Sequence, residues 1–244
     1  MEPTTLFKAE WGSRAYGTNT PESDRDIIQV VIEPPLYITG LEEFRPKHSS
    51  TAEQGQRSHK DDTDVVQYGL KHYAALAVEG NPQVMATLWM SDLLETTSYF
   101  NMLKENREMT VSKQAGRKYL GYMTSQKARI TGEKNRSTNR PELVAIHGWD
   151  TKFGAHALRL GYQGIELMHT GQIKLPMEGE ALEVCRATRA GEVSKEEGLD
   201  LIDFLQDTLE QLVQKSDLPE RGNRALMSEF LHYIYTSDWK KNHA

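Results

Sequence analysis

The chain of 244 residues has one cysteine, Cys185, so no disulfide can close within it. That scarcity of thiols suits a reducing compartment, and the expected location is cytoplasmic. Cys185 falls in a helical pattern and reads as a small buried side chain rather than a nucleophile. No apolar run approaches the roughly 20 residues that cross a bilayer, so no membrane partner is expected. The opening Met1-Glu2-Pro3-Thr4 lacks the basic and apolar regions of a signal peptide. Positive charge is also in short supply. Against 35 acidic residues stand 29 Lys and Arg, a net charge of -6. Such a balance excludes a general attraction to nucleic acid, and any such contact must come from a local basic patch. Repeats and low-complexity segments are missing too. What remains is 38% hydrophobic and 26% charged, the make-up of a globular chain long enough to bury a sizeable core.

One stretch concentrates the chemistry: Gly12-Ser13-Arg14-Ala15-Tyr16-Gly17, then Ser23-Asp24-Arg25-Asp26 and an apolar run to Ile32. Leu6 to Trp11 reads as a strand that ends in a tight turn at Gly12, where the backbone can come close to a ligand. Ser13 opens a short helix whose first N–H groups have no partners inside it, a natural seat for phosphate. After the polar turn Thr18 to Glu22, a second strand carries Asp24 and Asp26 on one face. Adjacent carboxylates repel unless a cation lies between them. Hard oxygen ligands beside a phosphate cradle point to magnesium, or manganese, shared with substrate phosphates. Asp61 to Tyr68 reads as a third strand, and either Asp62 or Asp64 can join the pair. A competing reading makes Asp64 the cap of a helix that starts at Val65, with Gln67 completing a capping box.

Gly12-Ser13 followed by Asp24-x-Asp26 resembles the signature of the DNA polymerase β superfamily of nucleotidyltransferases. The fuller string GSRAYGTNTPESDRDI is similar to a branch of predicted nucleotidyltransferases, some linked to RNA repair. The resemblance continues through Asp64, Gly80-Asn81-Pro82 and the segment HGWDTKFGAHALRL from His147, so it covers most of the chain. It implies an α/β (α+β) catalytic domain over residues 1–111, a small mixed sheet with flanking helices. An α-helical domain over 112–244 would follow and close over the nucleotide. It implies an NTP, ATP included, as substrate, with Asp24, Asp26 and Asp64 holding magnesium and Asp64 as the third carboxylate. Gly12, Ser13 and Arg14 would meet the triphosphate. Lys152, His156 and Arg159, at i, i+4 and i+7 of one helix, would add a polar stripe near it. The implied reaction moves a nucleoside monophosphate to an acceptor hydroxyl on RNA, protein or a small molecule, and releases pyrophosphate.

The remainder is less specific. Arg45 to Asp61 is a long loop or irregular hairpin, in which His48 and His59 fit no common zinc spacing. Gly69 to Glu79 reads as a helix that Gly80-Asn81-Pro82 stops. From Lys113 to Arg140 the chain is locally basic, with Lys127, Arg129, Lys134 and Arg136 among its cations. That segment supports an alternative, a nucleic-acid-binding module, beside another, a catalytically silent NTP-binding regulator. Ser194 and Glu197 form a capping box for a later helix, and Leu226, Phe230, Tyr233 and Ile234 read as the core stripe of the last one.

Overall fold

The computed structural model describes residues 2–53, 58, 60–133, 138 and 140–242. His59, Lys134 and Arg136 therefore lie outside the described residues. In chain order the elements are β1 (Thr4–Glu10), α1 (Gly12–Tyr16), β2 (Arg25–Ile32), α2 (Pro35–Thr39), β3 (Lys47–Ser50) and β4 (Thr63–Gly69). Then come α3 (Leu70–Val78), α4 (Pro82–Ala86), β5 (Glu95–Thr96), α5 (Ser98–Glu105), α6 (Lys113–Thr131) and α7 (Pro141–His147). The chain finishes with α8 (Thr151–Thr170), α9 (Gly179–Ala190), α10 (Lys195–Lys215) and α11 (Arg224–Asn242). No helix among the described residues is long and apolar enough to cross a membrane.

Two compact units emerge, one of residues 1–78, 83–110 and 223–244, the other of 79–82 and 111–222. The first holds a five-stranded mixed sheet in the order β3-β4-β2-β1-β5. β2 and β4 run parallel, and the other neighbouring pairs are antiparallel. β2 is the central strand, and Ile28, Val30 and Ile32 are fully buried in it. Phe7 of β1 stacks on Phe100 of α5 at 3.9 Å between ring centroids and meets the Tyr73 edge at 5.5 Å. These rings fix the helical layer against the sheet.

The break at residue 110 falls where the chain turns from strands to long helices, yet α11 belongs to the first unit. Its inward face explains this. Met227, Ile234, Tyr235 and Asp238 are buried, whereas Tyr233 is 54% exposed. The apolar stripe read from the sequence is thus rotated, because the buried partner is polar. Tyr235 donates its hydroxyl to Glu33 Oε2 at 2.5 Å, and Trp239 Nε1 donates to the Glu33 carbonyl at 2.9 Å. The same carboxylate accepts the backbone N–H groups of Leu70 and Lys71 and so caps α3. Burial raises the Glu33 pKa above the ordinary carboxylate value, although these hydrogen bonds oppose the shift.

In the second unit Ser112, Asp150 and Ser194 each cap a helix through their side chains, the last in a full capping box. α8 packs against α6, α9 and α10 and runs ten residues beyond Leu160. Gly161 and Gly164 sustain that continuation. A Cβ at Gly161 would stand 2.9 Å from the Leu205 Cβ of α10, so the missing side chain lets the two helices approach this closely.

Removing the Tyr235 hydroxyl leaves Glu33 without one buried donor. Tyr235→Phe should cost about 1–3 kcal/mol in urea denaturation. It should also raise the Glu33 pKa further, so stability lost as pH rises through that pKa is lost at a higher pH.

Candidate active site

The parallel register sets Asp26 of β2 directly beside Asp64 of β4, so both side chains leave the same face of the sheet. Asp24 stands just before β2, two residues from Asp26, and projects to that face as well. Carboxylate oxygens of Asp24, Asp26 and Asp64 all lie within 4.8 Å of one another. Alternation sends Arg25 the other way, where its Nε meets Glu10 Oε1 of β1 at 2.5 Å. The basic residue between the two aspartates therefore leaves their charge in place.

Asp64 lies within a strand, not at the start of a helix, so it is not a helix cap. Asp62 is engaged elsewhere: its side chain accepts the Thr51 hydroxyl at 3.0 Å, and its carbonyl accepts the Arg25 N–H. Asp64 Oδ2 accepts the Ser58 hydroxyl at 2.8 Å. Its Oδ1 is buried with no hydrogen-bond partner among the described residues. A buried carboxylate oxygen left bare beside two more carboxylates is costly unless a cation satisfies it. The hard oxygens, their clustering and this orphaned atom together fit a divalent cation such as magnesium.

Gly12 has a stricter task than turning the chain. At φ +60°, a Cβ there would sit 2.0 Å from Asp26 Oδ2. Only the missing side chain lets the carboxylate rest against the start of α1, and the Trp11 N–H to Asp26 carbonyl bond of 2.8 Å holds the two segments together. No side chain caps the first turn of α1, so the N–H groups at Gly12 and Ser13 are not used that way. Arg14 turns toward the aspartates' own backbone. Its Nε and Nη2 donate to the carbonyls of Asp24 and Ser23 at 3.3 and 3.2 Å. It braces the turn that presents Asp24.

Beside the carboxylates a cavity of about 500 Å³ opens along the β4–β3 edge, lined by Trp11, His48, Tyr68 and Gln83 as well as Asp26 and Asp64. The sequence drew no attention to Trp11 or Tyr68 as site residues, and His48 reached the cavity only through a strand pairing no motif announces. The buried Trp11 Nε1 has no hydrogen-bond partner among the described residues. Its one signal was its place directly before Gly12.

Lys152, His156 and Arg159 lie in the second unit on α8. Lys152 is half-buried, while Arg159 is only 5% exposed and donates to Gln163 Oε1 at 2.6 Å. Much of the basic segment is internally paired: Arg117 with Glu220, Lys127 with Asp203 and Arg140 with Asp150.

The Gly12 contact yields a direct test. Gly12→Ala should displace Asp26 and weaken manganese binding about tenfold or more, read by the electron paramagnetic signal of the free ion, while the far-ultraviolet circular dichroism stays that of the wild type.

The profile of the RNA repair pathway DNA polymerase beta family matches residues 2–235. Over 148 residues, 58% of this chain, the sequence is 28% identical to an uncharacterized 38.9 kDa protein of Enterobacteria phage T4 from the nrdC-mobD intergenic region. That alignment spans 43% of the phage protein, so the chain covers less than half of this relative. Among solved structures, a nucleotidyltransferase-like protein from Exiguobacterium sibiricum 255-15 aligns over 96% of this chain and 74% of its own, at 13% identity and a TM-score of 0.30. The family match runs through all three carboxylates and nearly the whole length, and the chain therefore belongs to the RNA repair pathway DNA polymerase beta family.

Proposed function

We propose that the protein transfers a nucleoside monophosphate from an NTP to an acceptor hydroxyl, with Asp24, Asp26 and Asp64 as its metal-holding carboxylates. The observation that carries this reading is the meeting of three carboxylates within 4.8 Å, one of them with a buried, unpartnered oxygen. A protein that only bound nucleotide would have little use for that concentration of negative charge. A metal held by Asp24, Asp26 and Asp64 would supply the positive charge that offsets what develops on the leaving pyrophosphate.

Asp24 and Asp26 hold their oxygens ready on one face, with Arg14 bracing the turn behind Asp24. Gly12 and Ser13 offer the backbone N–H groups of an uncapped helix start to the triphosphate. The acceptor oxygen forms a bond to the α-phosphorus as the bond from that phosphorus to the bridging oxygen of the β-phosphate breaks. Asp64 Oδ1 is the oxygen left for the cation, and the acceptor's proton passes to solvent. Lys152, His156 and Arg159 are assigned to phosphate binding within the second unit. RNA is the acceptor that the family's description favours.

Pyrophosphate release with each NTP and magnesium tests this. Asp24→Asn and Asp26→Asn should abolish it, and Asp64→Asn should slow it about 100-fold or more with NTP binding kept. Asp62→Asn should stay within a few-fold of wild type. Near wild-type turnover in Asp24→Asn would sink the assignment.

A further inference from the structure

Along α8 runs a stripe made of hydrogen-bond donors. Lys152, His156, Arg159 and Gln163 follow at i, i+4, i+7 and i+11, and so share one face. Two nitrogens on it are buried without a partner among the described residues, His156 Nε2 and Gln163 Nε2. The orientation of the Gln163 amide is set by its neighbour, because Arg159 Nη1 takes the amide oxygen at 2.6 Å. The amide nitrogen is left wanting an acceptor, and burial makes that want expensive.

Four cations from three places in the unit converge on His156. Arg129 of α6, Arg140 before α7, and Lys152 and Arg159 of α8 all bear on His156. Burial first and these four cations second hold its pKa well below the ordinary histidine value, so the imidazole is neutral at pH 7. Arg129 and Arg140 are set in place by one ring, their guanidinium carbons 5.3 and 5.0 Å from the Phe153 centroid. Asp150, the acid beside Arg140, is fully engaged. It pairs with Arg140 at 3.1 Å, caps α8 through the Phe153 N–H and accepts the Thr138 hydroxyl. From α9, Cys185 adds no negative charge, since burial pushes its thiol up to about 12.

We infer that the second unit carries its own phosphate-group site, built by Arg129, Arg140, Lys152 and Arg159 around the unpartnered nitrogens of His156 and Gln163. It deepens the phosphate-binding assignment of Lys152, His156 and Arg159 but stands apart from the carboxylate chemistry. A phosphate group suits it because its oxygens only accept hydrogen bonds and its charge is spread for guanidinium forks. A bound anion would also offset part of the cations' field at His156 and so raise its pKa, while the neutral imidazole can already offer Nε2–H as a donor. The phosphate belongs either to the tail of an NTP or to the phosphorylated end of an RNA strand.

The test is nuclear magnetic resonance of the His156 imidazole in the full chain, with EDTA present so that no metal site contributes. Saturating inorganic pyrophosphate should raise the midpoint of the His156 titration by about one pH unit or more. Lys152→Gln and Arg129→Gln, both changes outside the buried core, should each weaken pyrophosphate binding about tenfold. Separate titrations with ATP and with a 5′-phosphorylated trinucleotide then tell the two sources apart, since the natural one should act at lower concentration. An imidazole unmoved by pyrophosphate, ATP and the trinucleotide alike would overturn the site. Because no transfer is measured and no metal is present, that failure is distinct from failure of the carboxylate assignment.

Discussion

The repulsion among Asp24, Asp26 and Asp64 is the constraint that the first unit is built to withstand. Their oxygens lie within 4.8 Å of one another, and each partner resists the next. The backbone holds them regardless. Parallel pairing of β2 with β4 fixes Asp26 against Asp64, and the absent side chain of Gly12 leaves room for the Asp26 carboxylate. Arg14 spends its guanidinium on the turn that carries Asp24. Farther back, Glu33 ties the end of β2 to the start of α3 and to α11. A central strand anchored at its far end can hold an unfavourable charge cluster at its near end. Sites that trade stability for chemistry are built this way.

The second unit concentrates the opposite charge. Four cations bear on one neutral histidine, and the Asp150 carboxylate beside Arg140 is already taken. Neither concentration appears in the net charge of -6, because each offsets the other in the sum. Whole-chain charge thus speaks to general attraction and says little about local binding. Of the basic segment's described cations, Arg117, Lys127 and Arg140 have acidic partners, which narrows the surface left for nucleic acid.

Much of the carboxylate site was legible because its residues are close in sequence. Asp24 and Asp26 sit two apart before an apolar run, and strand alternation alone puts them on one face. Asp64 was legible only in part. Its segment reads as a strand or as a capped helix from local pattern, and the parallel pairing with β2 decides between them. The contact between Gly12 and Asp26 joins residues brought together by a fold, so the sequence showed a turn where the structure shows a clearance. Arg14, expected beside the triphosphate, also braces the carbonyls of Asp24 and Ser23, a role that depends on where the loop returns. In α11 the periodicity suggested Tyr233 and Phe230 as core, yet the buried face is turned toward Glu33, a polar partner 202 residues from Tyr235. Along α8 the spacing of Lys152, His156 and Arg159 was plain, but burial of Arg159 and the cations from other elements were not, since periodicity carries no information about neighbouring helices.

Three carboxylates arranged to hold a divalent cation should destabilise the fold when that cation is absent. Thermal unfolding in EDTA and in magnesium, with and without NTP, measures this most directly. Asp26→Asn should unfold at a higher temperature than wild type in EDTA, because the cluster loses one of its repelling charges. Magnesium should raise the midpoint of the wild type, NTP should raise it further, and the variant should gain little from either. A wild-type midpoint indifferent to magnesium, with Asp26→Asn no more stable than wild type in EDTA, would show that the three carboxylates hold no cation.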